Sequence, residues 1–222
     1  MISPLAYVDA SAKLGANVTV HPFAYIDKNV EIGDDCEIMP HVSIMSGTRM
    51  GKRNRIFNGA VIAAEPQDFN YKGDDTIVEI GDDNVIRENV VINRATNSGG
   101  KTVIGNGNFL HEGVHVSHDT HIGNHSVFGY GSKISGNCMI EDYVIFGNGQ
   151  VPLMNLGGRH VLIRPAYVVN DNGLGFSPSH QRLLKFKVIF FDSQFSLFTG
   201  SHGGNDNTRR QNGHDAGKKG SP

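Results

Sequence analysis

The chain has 222 residues and a formal net charge of −2, which suits one or two domains of an ordinary globular protein. This charge gives no reason to expect a nucleic-acid partner. No apolar run approaches the ~20 residues that a membrane-spanning helix needs. The chain holds only two cysteines, so we expect no disulfide framework and a cytoplasmic location.

A large apolar residue recurs at every sixth position through most of the chain. The series resumes at Ile80 after one break and at Ile104 after a second, and it ends at Phe146. Strands alternate with period two and helices repeat every 3.6 residues, so neither explains a period of six, whereas a parallel β-helix does. The first, unbroken series contains Ile2, Val8, Leu14, Val20, Ile26, Ile32, Ile38, Ile44, Met50, Ile56 and Ile62.

In such a coil each hexad supplies one short strand and one corner, and three hexads close a triangular turn. Residues eighteen apart then stack at the strand spacing of ~4.8 Å. We expect the recurring residue to point inward and a smaller residue, four positions later, to fill a second inward slot. Cys36 and Cys138 fall in this slot and are interpreted as core fillers.

Glycine often follows the large apolar residue directly. We expect these glycines to form tight corners, because glycine accepts a positive φ at little steric cost. The positions concerned are Gly15, Gly33, Gly51, Gly81, Gly105, Gly123 and Gly147.

The repeat divides the chain into coils and excursions. Residues 1–62 are uninterrupted coils, and because the repeat begins at once we expect no signal peptide. Residues 63–79 and 93–101 lose the pattern and are predicted to be loops pushed out of the prism. Inserted loops on one side of a solenoid often form its binding face. We therefore predict a β-helix domain over residues 1–147.

The repeat collapses after Phe146, where the next sixth positions are Pro152, Gly158 and Arg164. The stretch VLIRPAYVV is compatible with a strand, and residues 183–198 are apolar but show no helical stripe. Residues 200–222 offer almost nothing to bury, which predicts disorder. Residues 148–222 are thus predicted to be an irregular, partly disordered tail.

Histidines cluster in the stretch HEGVHVSHDTHIGNH, at positions 111, 115, 118, 121 and 125. His118 precedes Asp119, and a neighbouring carboxylate can orient an imidazole and support its charged form. Because it lies two residues past the inward Val116, His118 is expected at a corner, facing outward. Gly136, eighteen residues later, should stack over it and present a backbone N–H to an oxyanion. A base and a donor on adjacent coils predict acyl transfer.

Other interpretations of these histidines remain open. They could be ordinary polar residues of the surface. They could also bind zinc near a subunit seam, although residues three apart occupy alternating positions in the hexad and do not obviously converge. No GxSxG, P-loop or CxxC motif occurs, which favours direct transfer over a covalent intermediate. We expect neither a metal nor a cofactor.

The stretch HEGVHVSHDTHIGN, together with PQDFNYKGDD, IRENVVINRAT and the SGN turn at 135–137, resembles the acyl-(acyl-carrier-protein)–UDP-N-acetylglucosamine O-acyltransferases of lipid A biosynthesis. The resemblance covers about residues 1–147. It implies an all-β fold, a left-handed parallel β-helix of hexapeptide repeats, and a homotrimer with active sites between subunits. It also implies transfer of a (3-hydroxy)acyl chain from acyl carrier protein to the 3-hydroxyl of UDP-N-acetylglucosamine.

The resemblance assigns three catalytic residues by matching motif. His118 is similar to the general base that deprotonates the sugar hydroxyl, and Asp119 to the residue that orients it. Gly136 would offer its N–H to the developing oxyanion.

The same resemblance implies three substrate-binding residues. His115 would contact substrate, and Gln67 and Asp68 would contact the sugar nucleotide. Asn93 and Asn137 stand where some members of the family carry histidine, which leaves those two contacts open.

Residues 148–222 match nothing in the family, whose members continue with further coils and a helical C-terminal domain. A shift of reading frame near residue 148 would produce this break and would impair the enzyme. Three alternative functions stay open: the UDP-3-O-acyl-glucosamine N-acyltransferase of the same pathway, an acetyl-CoA-dependent acetyltransferase, and a non-catalytic solenoid.

Overall fold

The computed structural model describes residues 1–149, 161–163 and 188–190. Over these residues the chain forms short strands and no helix, and the strands build three sheets. Successive strands fall on the first, second and third wall in rotation, so each turn of the chain visits all three sheets. The result is the predicted left-handed parallel β-helix.

The strands of the first two walls begin and end as follows. The first wall contains β1 (Tyr7–Val8), β4 (Tyr25–Ile26), β7 (Ser43–Ile44), β10 (Val61–Ala64), β13 (Val91–Asn93), β16 (His115–Val116) and β19 (Lys133–Ile134). The second wall contains β2 (Lys13–Leu14), β5 (Glu31–Ile32), β8 (Thr48–Met50), β11 (Ile77–Ile80), β14 (Lys101–Ile104), β17 (His121–Ile122), β20 (Cys138–Ile140), β22 (Val161–Ile163) and β23 (Val188–Phe190).

The third wall completes the prism. It contains β3 (Thr19–Val20), β6 (Glu37–Ile38), β9 (Arg55–Ile56), β12 (Val85–Ile86), β15 (Phe109–Leu110), β18 (Val127–Phe128) and β21 (Ile145–Phe146). The strands of all three walls pair in parallel, except that β23 pairs antiparallel with β22.

The strand register confirms the eighteen-residue coil. Ile26 lies opposite Ile44 on the first wall, as expected for residues eighteen apart. On the second wall Met50 lies opposite Ile80 and Ile80 opposite Ile104. These separations are 30 and 24 residues, so the two excursions add two hexads and one hexad respectively. Because whole hexads are added, the inward residues stay in phase.

Both excursions leave the prism at one corner, between the first and second walls. β10 continues to Ala64 and β11 begins at Ile77, so the first loop spans 65–76 rather than the predicted 63–79. β13 ends at Asn93 and β14 begins at Lys101, which leaves 94–100 as the second loop rather than 93–101. The strands therefore reach further into each excursion than the loss of hydrophobic pattern indicates.

The core is the single stack of inward side chains that the hexad predicts. Ile44, Ile62 and Ile92 are fully buried, and burying such a side chain stabilises a fold by about 1.5–3 kcal/mol. Cys36 and Cys138 are buried and free, which confirms them as core fillers. Burial raises the pKa of the Cys138 thiol to about 11, so it stays neutral.

The prediction of positive φ at the recurring glycines is wrong. The left-handed conformation lies instead at the third residue after the large apolar one, and most of these residues are not glycine. Gly33 serves a different need: a Cβ at this position would lie 2.7 Å from the carbonyl carbon and oxygen of Gly51. Glycine is required there because adjacent coils approach too closely for a side chain.

The first position of the apolar series does not point into a closed core. Ile2 is 52% exposed, contrary to the expected inward placement, and it makes only an isolated bridge to Val20. Val8 and Leu14 are also only partly buried. Among the described residues only the second coil covers the first, so the inward residues of the first coil are covered on one side.

The prism gains two strands beyond the last hexad. β22 lies within the stretch VLIRPAYVV and extends the second wall beside β20. The predicted irregular tail otherwise lies outside the described residues, and its boundary at residue 148 stays a prediction. Within the part of the chain that the structure describes, no helix is long and apolar enough to cross a membrane.

Candidate active site

The candidate site lies where four consecutive turns of the coil stack at one corner. β10, β13, β16 and β19 are neighbours on the first wall, and each is followed by a connection to the second wall. These connections are the loop 65–76, the loop 94–100, the corner 117–120 and the corner 135–137. The geometry of the prism therefore brings both inserted loops against the HD and SGN motifs.

Gly136 stacks over His118, as predicted. The N–H of Asn137 donates to the carbonyl oxygen of His118 at 3.0 Å, which fixes the two corners against each other. A Cβ at position 136 would lie 2.5 Å from Cε1 and 2.6 Å from Nε2 of the imidazole. Glycine is thus needed to make room for the ring, and the part of its N–H in catalysis stays a prediction.

The ring of His118 is held by the carboxylate of its neighbour. Nδ1 of His118 lies 2.8 Å from Oδ2 of Asp119, and the imidazole is 12% exposed. Asp119 occupies the left-handed position of its hexad with a φ of 57°, a conformation that aspartate tolerates better than most residues. Its N–H donates to Oγ1 of Thr102 at 2.9 Å. The corner geometry therefore turns the carboxylate back towards the ring.

Asp119 is ionised at neutral pH. Burial disfavours its charge, but hydrogen bonds from His118 and Thr96 outweigh burial and hold the pKa of Asp119 below its ordinary value. Oγ1 of Thr96 lies 2.7 Å from Oδ2 and the N–H of Thr96 donates to it at 3.1 Å. A carboxylate at Nδ1 favours the tautomer with a proton on that nitrogen, which leaves Nε2 to accept one.

Nε2 of His118 faces the first inserted loop. Oδ2 of Asp68 lies 3.4 Å from it. The Asp68 turn is closed by the N–H of Asn70, which donates to Oδ1 at 2.7 Å, and by the N–H of Tyr71, which donates to the carbonyl oxygen of Asp68 at 3.1 Å. Of the two predicted contacts in this loop, Asp68 reaches the ring, whereas the side chain of Gln67 is exposed.

Arg94 ties the two inserted loops together. Its Nη2 donates to the hydroxyl of Tyr71 at 2.7 Å and lies 3.3 Å from Oε1 of Glu65. The guanidinium also lies 5.6 Å from the centroid of the Tyr71 ring, within the range of a cation–π contact. Because Tyr71 follows Asp68 by three residues, Arg94 holds the turn that presents Asp68 to His118.

His115 lies beside the corner on β16 and is kept neutral. Burial lowers the pKa of His115, and the charges of Lys133 and His118 lower it further. Its Nε2 lies 2.6 Å from Oδ1 of Asn93, whose Nδ2 donates to the carbonyl oxygen of Glu65 at 2.6 Å. Asn93 thus offers its oxygen to His115, so Nε2 of His115 carries the proton.

The remaining histidines of the cluster lie elsewhere. His111 packs against Phe109 and His125 stacks on Tyr143, while His121 lies on the second wall. Among residues 1–149 and the two short strands beyond them, no three His, Cys, Asp or Glu side chains are placed to share a metal ion.

Sequence reasoning missed Thr96 and Arg94, which lie in the second inserted loop. That loop is visible in the sequence only as a loss of the hexad. A partial signal is the strand register: the 24-residue offset between Ile92 and Val116 counts Asp119 back to Ala95, so Thr96 falls one residue from the position beneath Asp119.

Comparison with known proteins agrees with this geometry. The family described as "Bacterial transferase hexapeptide (six repeats)" matches residues 101–136. The acyl-(acyl-carrier-protein)–UDP-N-acetylglucosamine O-acyltransferase of Xanthomonas euvesicatoria is 50% identical over 120 residues, which are 54% of this chain and 46% of that protein. The enzyme of the same name from Synechocystis is 44% identical over 107 residues, 48% of this chain and 32% of that one. The chain thus spans less than half the length of these curated relatives.

Solved structures resemble more of the chain. The UDP-N-acetylglucosamine acyltransferase of Bacteroides fragilis is 43% identical with a TM-score of 0.63, and the match covers 73% of this chain and 71% of that one. The corresponding structure from Francisella novicida is 34% identical with a TM-score of 0.67, and the match covers 75% of this chain and 67% of that one.

Proposed function

Because the chain belongs to the family of UDP-N-acetylglucosamine acyltransferases, we propose that it carries out their reaction. It transfers a (3-hydroxy)acyl chain from acyl carrier protein to the 3-hydroxyl of UDP-N-acetylglucosamine, the first step of lipid A biosynthesis. The observation that carries the proposal is the contact of 2.8 Å between Nδ1 of His118 and Oδ2 of Asp119, beneath a residue that must be glycine.

In the proposed mechanism Nε2 of His118 takes the proton of the sugar 3-hydroxyl as the oxygen attacks the thioester carbonyl carbon. The oxyanion of the tetrahedral intermediate accepts a hydrogen bond from the N–H of Gly136. The carbon–sulfur bond then breaks, and the proton held by His118 passes to the leaving sulfur. Asp119 stabilises the imidazolium between the two steps. A positioned base contributes about 10²–10⁴ in rate and an oxyanion donor about 10²–10³.

The sugar nucleotide must displace the contact between Asp68 and His118 before its 3-hydroxyl can reach the ring. Asp68 lies 3.4 Å from Nε2 of His118, where the 3-hydroxyl has to sit. We place Asp68 and Gln67 on the sugar nucleotide once it is bound, since both lie on the loop that faces the ring. His115 contacts substrate as a neutral ring, because Asn93 already occupies its Nε2.

The homotrimer is also a proposal, supported by the outer face of the third wall. Val85, Phe109, Val127 and Ile145 lie in register on adjacent strands there and form an apolar column along the prism. A flat apolar face of this kind is a natural subunit contact. Sedimentation of the full chain tests it, with three copies expected. We also propose acyl carrier protein as the partner and a cytoplasmic location.

The function is tested with the full chain, UDP-N-acetylglucosamine and either acyl-acyl carrier protein or acetyl-CoA as donor. We expect product only with the acyl carrier protein donor, and at least a 100-fold loss in His118→Ala. His21→Ala is the matched control, because His21 lies between β3 and β4, at a different corner of the prism, and contacts Glu37. Equal transfer by His118→Ala and the unchanged protein would contradict the mechanism. Absence of product in the unchanged protein would contradict the function.

A further inference from the structure

One oxygen of Asp119 receives three hydrogen bonds. Oδ2 lies 2.8 Å from Nδ1 of His118, 2.7 Å from Oγ1 of Thr96 and 3.1 Å from the backbone nitrogen of Thr96. Two of the three partners thus belong to Thr96, which lies on the loop of the preceding coil. Thr96 is 6% exposed, so water hardly competes for these contacts.

The Thr96 hydroxyl has a hydrogen-bonding neighbour on each side, Asp119 and Asn97. Nδ2 of Asn97 donates to Oγ1 of Thr96 at 3.1 Å. An ionised carboxylate can only accept, so the hydroxyl proton of Thr96 must point to Asp119. The contacts therefore run in one sense, from Asn97 to Thr96 and from Thr96 to Asp119. Such chains polarise each bond and strengthen it.

The second loop is shaped to deliver this hydroxyl. The N–H of Gly100 donates to the carbonyl oxygen of Asn97 at 2.8 Å and closes the loop. A Cβ at position 100 would lie 2.7 Å from that same oxygen and 3.0 Å from Cβ of Ala95. Glycine thus permits the tight turn that holds Thr96 against the next coil.

From these contacts we propose that Thr96 is a positioning residue that acts through Asp119 on His118. Its hydroxyl fixes the carboxylate in the orientation that receives Nδ1–H of the imidazole. This keeps the neutral ring in the tautomer whose Nε2 is free to accept a proton. Without the hydroxyl, Asp119 rotates more freely and the other tautomer gains population. The kinetic consequence rests on the proposed function, but the effect on the tautomer does not.

Two substitutions isolate the hydroxyl. Thr96→Val removes it and keeps the shape of the side chain, while Thr96→Ser retains it. The backbone N–H of Thr96 persists in both. Thr48→Val is the matched control, because Thr48 is a buried threonine at the start of β8, just after the same corner of an earlier coil, and donates to the carbonyl oxygen of Met45 at 2.8 Å.

The first readout is kinetic. In Thr96→Val we expect kcat to fall roughly 10- to 100-fold with KM within about twofold, the range expected when a hydrogen bond to a charged group is lost. Thr96→Ser and Thr48→Val should stay within about threefold of the unchanged protein. An equal loss in Thr96→Ser and Thr96→Val would overturn the proposal, because packing would then explain both.

The second readout is the tautomer of His118, measured from the ¹⁵N chemical shifts of its ring in histidine-labelled full chain. The His118 signals are assigned from the spectrum of His118→Gln. We expect the Nδ1–H form to lose population in Thr96→Val but not in Thr96→Ser. Identical populations in all three proteins would overturn the proposal, even if the chain shows no acyl transfer. A shifted tautomer in an inactive chain would refute the function and leave the role of Thr96 standing.

If Thr96→Val does not fold, Asn97→Ala replaces it, because Asn97 is exposed and its loss removes the hydrogen bond that polarises the Thr96 hydroxyl towards Asp119. The tautomer should then shift in the same direction by a smaller amount, with kcat about threefold lower. An unchanged tautomer in Asn97→Ala would overturn the proposal.

Discussion

The imidazole of His118 fills the space that any side chain at Gly136 would need. A Cβ at position 136 would lie between 2.5 and 3.0 Å from three atoms of the ring, closer than van der Waals contact allows. The absent side chain of Gly136 and the imidazole of His118 are therefore two parts of one arrangement. It arises because the residues lie eighteen apart on adjacent coils.

We expect Gly136→Ala to lower kcat by about 10² or more, since the methyl group must push the ring of His118 away from its present position. The measurement is the initial rate of acyl transfer at saturating substrate. Gly131→Asn is the control: Gly131 has a φ of 66° and nothing within 4 Å of its Cβ position, a conformation that asparagine accepts. Equal rates in Gly136→Ala and the control would contradict the requirement for glycine beside the ring of His118.

Replacing Asp119 by asparagine should abolish most activity without disturbing the corner. Asparagine tolerates the φ of 57° at this position, so the backbone has no reason to move. The neutral amide no longer offsets the positive charge that the imidazole of His118 gains during transfer. We expect kcat to fall about 10²- to 10⁴-fold. Activity within threefold of the unchanged protein would mean that Asp119 does not orient the base.

The same substitution should change stability in a way that depends on pH. The pKa of Asp119 is lower in the folded chain than in the unfolded chain. Its contribution is therefore fully present above the unfolded value of about 3.9 and is lost as the pH falls through the folded value. Urea unfolding of the unchanged protein and of Asp119→Asn at pH 7 and pH 3 should show a gap in unfolding free energy that shrinks on acidification. A larger difference in unfolding free energy at pH 3 than at pH 7 would contradict the lowered pKa of Asp119.

His115 should also make the folded chain lose stability as the pH falls, but over a higher pH range than Asp119 does. Its pKa is lowered in the folded chain by burial and by the charges of Lys133 and His118, so the unfolded chain binds the proton more readily. The folded chain then loses stability as the pH falls through the unfolded value of about 6.5, and the loss levels off below the folded value. Between pH 7.5 and 5.5 the melting temperature should fall more for the unchanged protein than for His115→Gln. An equal fall in melting temperature for the two proteins would contradict the lowered pKa of His115.

The apolar series should be energetically unequal along its length. Ile92 is fully buried, and Ile92→Ala should cost about 2–5 kcal/mol of unfolding free energy. Ile2 belongs to the same series but is 52% exposed, so Ile2→Ala should cost less than about 1 kcal/mol. Chemical denaturation of the two variants compares them directly. Equal costs would place Ile2 in a closed core.

The period of six was enough to predict the coil and the stacking at its corner. Because the strand register depends only on counting, it predicts that Gly136 stacks over His118. It failed where a side chain needs a neighbour on both sides. Ile2 carries the right spacing but is 52% exposed, and spacing alone does not show which inward positions are covered.

The period could not predict what the two inserted loops bring to the corner. A loop breaks the count, so neither the contact of Asp68 with Nε2 nor that of Thr96 with Asp119 follows from sequence spacing. The glycines show a second limit. Gly33 marks a close approach between coils rather than a positive φ, and composition does not distinguish these two needs for glycine.

The proposed reaction requires that Nε2 of His118 accept the proton of the sugar 3-hydroxyl. A crystal structure of the full chain with UDP-N-acetylglucosamine would show whether the two atoms meet. We expect the 3-hydroxyl oxygen within about 2.6–3.2 Å of Nε2, with Asp68 moved from its present distance of 3.4 Å onto the sugar nucleotide. A bound sugar whose 3-hydroxyl points away from His118, with Asp68 still against the ring, would contradict it.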